Sequence, residues 1–94
     1  MSVYGAAKAA VAGFTRSLAA ELARYNITVN CVSMGIQEIE KRDAGSRPSE
    51  AKLEKICKTI PLRRFGEPEE ITYMVALLAS DLGSNITGQN ISVA

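Results

Sequence analysis

Residues 27–32 read Ile-Thr-Val-Asn-Cys-Val, a run in which apolar or β-branched side chains occupy both sets of alternate positions. Such a run is typical of a short strand that is covered on both faces, as the strands of parallel sheets are. Parallel strands are joined by helical crossovers. The run therefore predicts an α/β fold in which helices surround the strand.

An alanine-rich segment without proline precedes this strand and predicts a first helix over residues 2–24. Small residues cover much of its surface, and we expect them to let another helix approach closely. Ser2 is a candidate N-cap, and Asn26 ends the helix. The larger apolar side chains recur at helical spacing and predict one buried stripe: Ala7, Val11, Phe14, Leu18 and Leu22.

Two more helices and a second strand are predicted downstream. Residues 49–58 predict a short helix with Ser49 as N-cap, and Pro68 stands where the first turn of a helix over residues 69–82 tolerates proline. Residues 90–93 predict the last strand. The order helix, strand, helix, helix, strand predicts the C-terminal portion of a Rossmann-like doubly wound parallel sheet. Two strands alone make a poor sheet, so we expect residues 1–94 to form a partial domain.

Composition argues against several classes of function. The net charge of +1 gives no reason to expect nucleic acid or a membrane as a partner, and no stretch is apolar for long enough to span a bilayer. The sequence has no histidine, which argues against serine–histidine hydrolysis and most zinc sites, so we expect no metal. Cys31 and Cys57 are interpreted as reduced thiols of a cytoplasmic protein.

Tyr4 and Lys8 are four residues apart and therefore share one face of the first helix. A tyrosine has an ordinary pKa of about 10, and bringing it near 7 requires roughly 4 kcal/mol. A neighbouring positive charge favours the phenolate, so Lys8 could supply much of that shift. Alone, the spacing is weak evidence, because an incidental pair on a helix surface has the same pattern.

Three further motifs follow this pair along the chain. They are Asn-Cys-Val-Ser-Met-Gly at residues 30–35, Pro-Leu-Arg-Arg-Phe-Gly-Glu-Pro-Glu-Glu-Ile at residues 61–71 and Ser-Asn-Ile-Thr-Gly-Gln-Asn-Ile-Ser-Val at residues 84–93. In this order and spacing, the series resembles the C-terminal half of the short-chain dehydrogenase/reductase family. The resemblance covers almost every residue of the sequence.

The resemblance implies an NAD(P)-dependent oxidoreductase that interconverts a carbonyl and an alcohol, for example a 3-oxoacyl or similar ketone substrate. Tyr4 would be the general acid/base, and Lys8 would lower its pKa and hydrogen-bond the nicotinamide ribose. Gly35 would close the turn under the nicotinamide, and the main chain of Gln37 would hold its carboxamide. The cofactor would be NAD or NADP, and the full-length protein would be a homo-oligomer, either a dimer or a tetramer.

Two residues depart from the family's pattern. Met34 stands where the family usually has proline, so the turn before Gly35 is less fixed. Ile39 stands where a threonine commonly contacts the cofactor, so that hydrogen bond would be lost. Residues 38–61 would form the variable lid over the substrate.

Other features of the family do not occur in the sequence. It has no Gly-rich turn for the pyrophosphate, and the family's catalytic serine would fall before Met1. We therefore expect the N-terminal nucleotide-binding half to be absent and residues 1–94 alone to be inactive and to bind no dinucleotide tightly. An alternative is a catalytically inert piece of the family that acts only as an oligomerisation module. A third is an unrelated small α/β domain.

Overall fold

The computed structural model describes residues 1–35 and 49–93. Within them, two strands pair in parallel, with Cys31 opposite Asn90 and Met34 opposite Val93. The α/β class with parallel strands joined through helices is confirmed. The elements, in chain order, are α1 (Ser2–Leu22), β1 (Cys31–Met34), α2 (Glu50–Thr59), α3 (Pro68–Ala79) and β2 (Asn90–Val93), with 3₁₀ turns at Ala23–Tyr25 and Asp81–Gly83.

The first strand begins later than its sequence predicts. Residues 27–30 lie outside the ladder, and β1 starts at Cys31. The prediction that this strand is buried on both faces is wrong for the described residues: Ile27 is exposed and β1 is half-buried, ending in exposed Met34. The reason is that β1 has β2 on only one edge and is only partly covered by helices.

Asn30 fixes the alignment of the two strands. Its Nδ2 donates to the carbonyl of Ile86 at 2.8 Å, and its Oδ1 accepts from the N–H of Gln89 at 3.1 Å. The preceding residue, Val29, accepts from the N–H of Gly88 at 2.8 Å. Gly88 has a φ of 71°, a left-handed conformation that favours glycine. These bonds hold the turn before β2 against β1 and so set the register of the sheet.

The face of α1 that packs inward overlaps the predicted stripe only at Leu18 and Leu22, which are half-buried. Val11 and Phe14 are exposed, Phe14 by 65%, whereas Thr15 and Ala19 are 5% and 3% exposed. Ala19 lies so near the turn before β2 that a Cβ at Gly88 would be 3.5 Å from its own Cβ. The face with Thr15 and Ala19 therefore packs inward, because these short side chains let the helix lie close to the backbone.

The predicted start is right for two of the three helices and wrong for the first. Ser49 is the N-cap of α2, with its hydroxyl accepting from the N–H of Lys52 at 3.3 Å, and Pro68 lies in the first turn of α3. The N-cap predicted at Ser2 is wrong, because Ser2 already lies in the first turn of α1, and Met1 is the N-cap. The third helix ends at Ala79, three residues before the predicted end, where the chain turns into a 3₁₀ segment.

Few side chains are buried in the described residues. The radius of gyration is 16.3 Å, against about 12 Å for a compact domain of this length. No side chain in residues 1–35 and 49–93 is fully buried, and Ile60 is the largest that is mostly covered, at 8% exposed. No helix in this part of the chain combines the length and apolarity that a bilayer span requires.

Candidate active site

Tyr4 and Lys8 lie one turn apart near the start of α1, as their spacing predicts. The Nζ of Lys8 lies 5.4 Å from the centroid of the Tyr4 ring, within the range of a cation–π contact. Tyr4 is 59% exposed, so its ring is open to an incoming ligand. The helix thus presents a phenol and an ammonium together at one position on the surface.

This pair lines a groove of about 580 Å³ between the start of α1 and the carboxyl end of β1. Gly35, which directly follows β1, lies in the same groove, so the structure brings three of the four predicted site residues together. Gln37, the fourth, lies outside the described residues. The other lining residues are Ala9, Val11, Ala12, Cys31, Val32, Ser33, Met34 and Asn90.

The sheet positions the floor of the groove. The N–H of Cys31 donates to the carbonyl of Gln89, and the N–H of Gly35 donates to that of Val93, both at 2.9 Å. Ser33 and Asn90 are joined through their side chains, with the hydroxyl donating to Oδ1 at 2.5 Å. Sequence reasoning missed these two residues. The register of the parallel strands, with Asn90 opposite Cys31, places Asn90 diagonally next to Ser33 on one face of the sheet.

The groove fits the nicotinamide end of a dinucleotide. Its volume is that of ordinary small-molecule pockets, roughly 300–1,000 Å³. Tyr4 and Lys8 offer polar groups, Ala9 and Ala12 offer a flat apolar wall, and Gly35 lets a ligand come near the main chain. The described residues contain no Gly-rich turn from a strand into a helix that would bind the pyrophosphate. Nor do they contain three His, Cys, Asp or Glu side chains grouped as metal ligands.

A second group of charged side chains lies at the start of α3. The guanidinium of Arg64 binds both carboxylate oxygens of Glu70, with Nη2 to Oε1 at 2.8 Å and Nη1 to Oε2 at 3.1 Å. The N–H of Glu67 also donates to Oε2, at 2.8 Å. The hydrogen bond from Arg64, followed by that from Glu67, lowers the pKa of Glu70 from 4.5 to about 2. The same bond raises the pKa of Arg64.

Comparison with known proteins identifies the family of this chain. A family model described as enoyl-(acyl carrier protein) reductase matches residues 1–94. Relatives named as reductases and dehydrogenases match 96% of the chain. The chain belongs to the short-chain dehydrogenase/reductase family. The family is one of oxidoreductases, as the resemblance implied.

Three relatives illustrate the range of the short-chain dehydrogenase/reductase family around this chain. Nodulation protein G of Rhizobium meliloti is 44% identical over 90 residues. The 3-oxoacyl-(acyl-carrier-protein) reductase FabG of Aquifex aeolicus and the 3alpha-hydroxysteroid dehydrogenase of Mediterraneibacter gnavus are each 46% identical over 90 residues. The chain spans about 36% of the length of nodulation protein G and 35% of the other two.

Proposed function

We propose that residues 1–94 are the C-terminal portion of a Rossmann-like, NAD(P)-dependent oxidoreductase that interconverts a carbonyl and an alcohol. The observation that carries this proposal is the groove in which Tyr4, Lys8 and Gly35 meet at the carboxyl end of a parallel strand. Ligands of open α/β sheets bind outside the carboxyl ends of the strands. The nucleotide-binding half would be supplied by residues outside these 94.

Each residue of the groove has a role in this proposal. Tyr4 is the general acid/base, giving its phenolic proton to the substrate oxygen during reduction and taking it back during oxidation. Lys8 stabilises the deprotonated phenol and hydrogen-bonds the ribose of the cofactor. A bound nicotinamide supplies or accepts the hydride. Gly35 leaves the main chain accessible below the ring, and the main chain of Gln37 holds the carboxamide.

The proposed substrate is a 3-oxoacyl group or a similar ketone. Two relatives are named for a 3-oxoacyl and a hydroxysteroid substrate, and both names describe a carbonyl or its alcohol. The exposed position of Tyr4 and the apolar residues beside it suit a ligand with an apolar body and one reacting oxygen. The cofactor is NAD or NADP, and the protein is proposed to work as a cytoplasmic homo-oligomer.

A chimera tests the proposal. Residues 1–94 would replace the matching segment of the Aquifex aeolicus reductase, which supplies a nucleotide-binding half. Reduction of a 3-oxoacyl thioester would be followed by NADPH and NADH absorbance. We expect turnover with at least one cofactor. A folded chimera that binds cofactor but reduces neither the thioester nor simple ketones would contradict the proposal.

The exposed apolar side chains favour a second candidate, an association module without catalysis. Phe14 on α1, Tyr73 and Val75 on α3 and Leu82 are each at least half exposed. Exposed apolar side chains of this size favour a protein–protein contact where they lie together in one patch. Sedimentation equilibrium of the 94-residue chain would test it. A dimer or larger species, combined with an inactive chimera, would favour this candidate over the first.

A further inference from the structure

The position of α2 depends on the connector that follows it. Within residues 1–35 and 49–93, this helix makes no extensive contact with another helix or strand. Ile60, the residue after α2, is 8% exposed and anchors the end of the helix. The N–H of Arg63 donates to the carbonyl of Ile60 at 2.8 Å and closes a four-residue turn, with Pro61 at the second position that proline favours.

Arg63 has an unfavourable backbone conformation in this connector. Its φ is 60°, in the left-handed region where a Cβ is crowded by the neighbouring carbonyl. Among the described residues, the other non-glycine residue with a positive φ is Asn26, whose residue type tolerates this conformation. Arginine has no such tolerance, so a contact of Arg63 is needed to offset the cost.

The side chain of Arg63 makes that contact. Its Nη1 donates to the main-chain carbonyl of Lys58, in the last turn of α2. The last carbonyls of a helix have no partner within it, and their dipoles attract a positive charge. The next residue, Arg64, binds Glu70 in the first turn of α3. Two successive arginines therefore hold the connector to the end of one helix and the start of the next.

We infer that α2 moves as a unit about the anchored Ile60 and that the hydrogen bond from Arg63 to the Lys58 carbonyl restrains this movement. Arg63 is exposed, so water competes for its guanidinium and the bond can open. The inference does not depend on the proposed function. One consequence does rest on it: α2 belongs to the segment expected to cover the substrate, so the same bond would set how far that segment opens.

The test uses the two cysteines of the chain as reporters. Cys57 lies on α2 and Cys31 on β1, and both are half-buried free thiols. Their rates of alkylation by iodoacetamide would be measured separately by mass spectrometry of the 94-residue chain. We expect Arg63→Ala and Arg63→Gly to raise the Cys57 rate about 3- to 10-fold, the effect of losing one hydrogen bond from a charged group at an exposed position. The Cys31 rate should stay within about twofold.

Two comparisons separate this role from a contribution to overall stability. Arg63→Ala keeps a Cβ in the left-handed conformation and Arg63→Gly does not, so the unfolding equilibrium in urea should favour the folded glycine variant by about 3- to 10-fold over the alanine variant. Their Cys57 rates should nevertheless be equal, because both lack the guanidinium. Arg63→Lys is the matched control, since it keeps a positive donor of similar length, and its Cys57 rate should stay within about twofold of wild type.

Three results would overturn the inference. The first is a Cys57 rate that Arg63→Gly leaves unchanged, because the bond would then not restrain α2. The second is an equal rise at Cys31, which would mean that the whole chain loosens. The third is a Cys57 rate that follows the urea stability of the alanine and glycine variants. Because Arg63→Gly carries no left-handed penalty, the first two results can be read even if Arg63→Ala does not fold.

Discussion

Two pairs of polar side chains are brought together by residues close in sequence. They are Tyr4 and Lys8 on α1, and Arg64 and Glu70 at the start of α3. Arg64 and Glu70 bind each other through two hydrogen bonds, and the Glu67 N–H completes the cluster. Tyr4 and Lys8 touch through the ring face and leave the groove open beside them. The second pair stabilises the chain's own fold, whereas the first, in the proposed function, serves a ligand.

The largest expected effect concerns Tyr4. In the chimera, Tyr4→Phe keeps the ring and removes the proton, so we expect carbonyl reduction to fall by about 100-fold or more. Tyr73→Phe, on the exposed surface of α3, is the control and should leave the rate within about twofold. Steady-state kinetics at saturating cofactor would measure both. Near-normal activity of Tyr4→Phe would show that Tyr4 is not the general acid/base. The two pairs would then not differ in function.

Asn30, like Arg64 and Glu70, uses its side chain to stabilise the fold. Asn30→Ala leaves the carbonyl of Ile86 and the N–H of Gln89 without their partner, so we expect the free energy of unfolding to fall by about 2 kcal/mol. Asn85→Ala, at an exposed position in the adjacent turn, should change it by less than about 0.5 kcal/mol. Urea denaturation of the chain at constant m value would compare them. Equal effects would mean that Asn30 does not fix the register.

Substitution of Lys8 tests the difference between the two pairs, because loss of a catalytic lysine changes the pH profile of the reaction, whereas loss of a structural lysine lowers stability. We expect Lys8→Met in the chimera to reduce activity at neutral pH by about tenfold and to move the profile of alcohol oxidation to higher pH. The deprotonated phenol would lose its neighbouring positive charge, and the ribose would lose a donor. Lys55→Met on α2 is the control. A lower melting temperature with the pH profile unchanged would identify Lys8 as structural.

The smallest expected effect concerns Glu70. Its pKa is about 2 in the folded chain and 4.5 ordinarily, so the unfolded chain takes up the proton first as the solution becomes acidic. The stability that Glu70 contributes is therefore complete above about pH 4.5 and is lost as the pH falls towards 2. Urea midpoints between pH 6 and pH 2.5 should fall less steeply for Glu70→Gln than for wild type. Glu69→Gln, whose carboxylate is not the one bound by Arg64, should follow wild type; identical slopes for all three would contradict the assignment.

The sequence determined the elements whose signals are local. Four predictions depend on neighbours a few positions away, and the structure has all four: the strand at residues 90–93, the turn at Asn26, the proline in the first turn of α3 and the N-cap at Ser49. The four-residue spacing also placed Tyr4 and Lys8 on one helix face. Helical geometry alone decides that distance, so no tertiary contact was needed to predict it.

The tertiary structure decided which surfaces meet. The stripe with Val11 and Phe14 has the stronger helical periodicity, yet Thr15 and Ala19 pack inward, because the distance between α1 and the turn before β2 admits only short side chains. The start of β1 at Cys31 depends on bonds between Asn30 and residues more than fifty positions away. Periodicity along one segment carries no information about the segment it will face, so register, packing face and the direction of each main-chain donor appear only once both strands are in place.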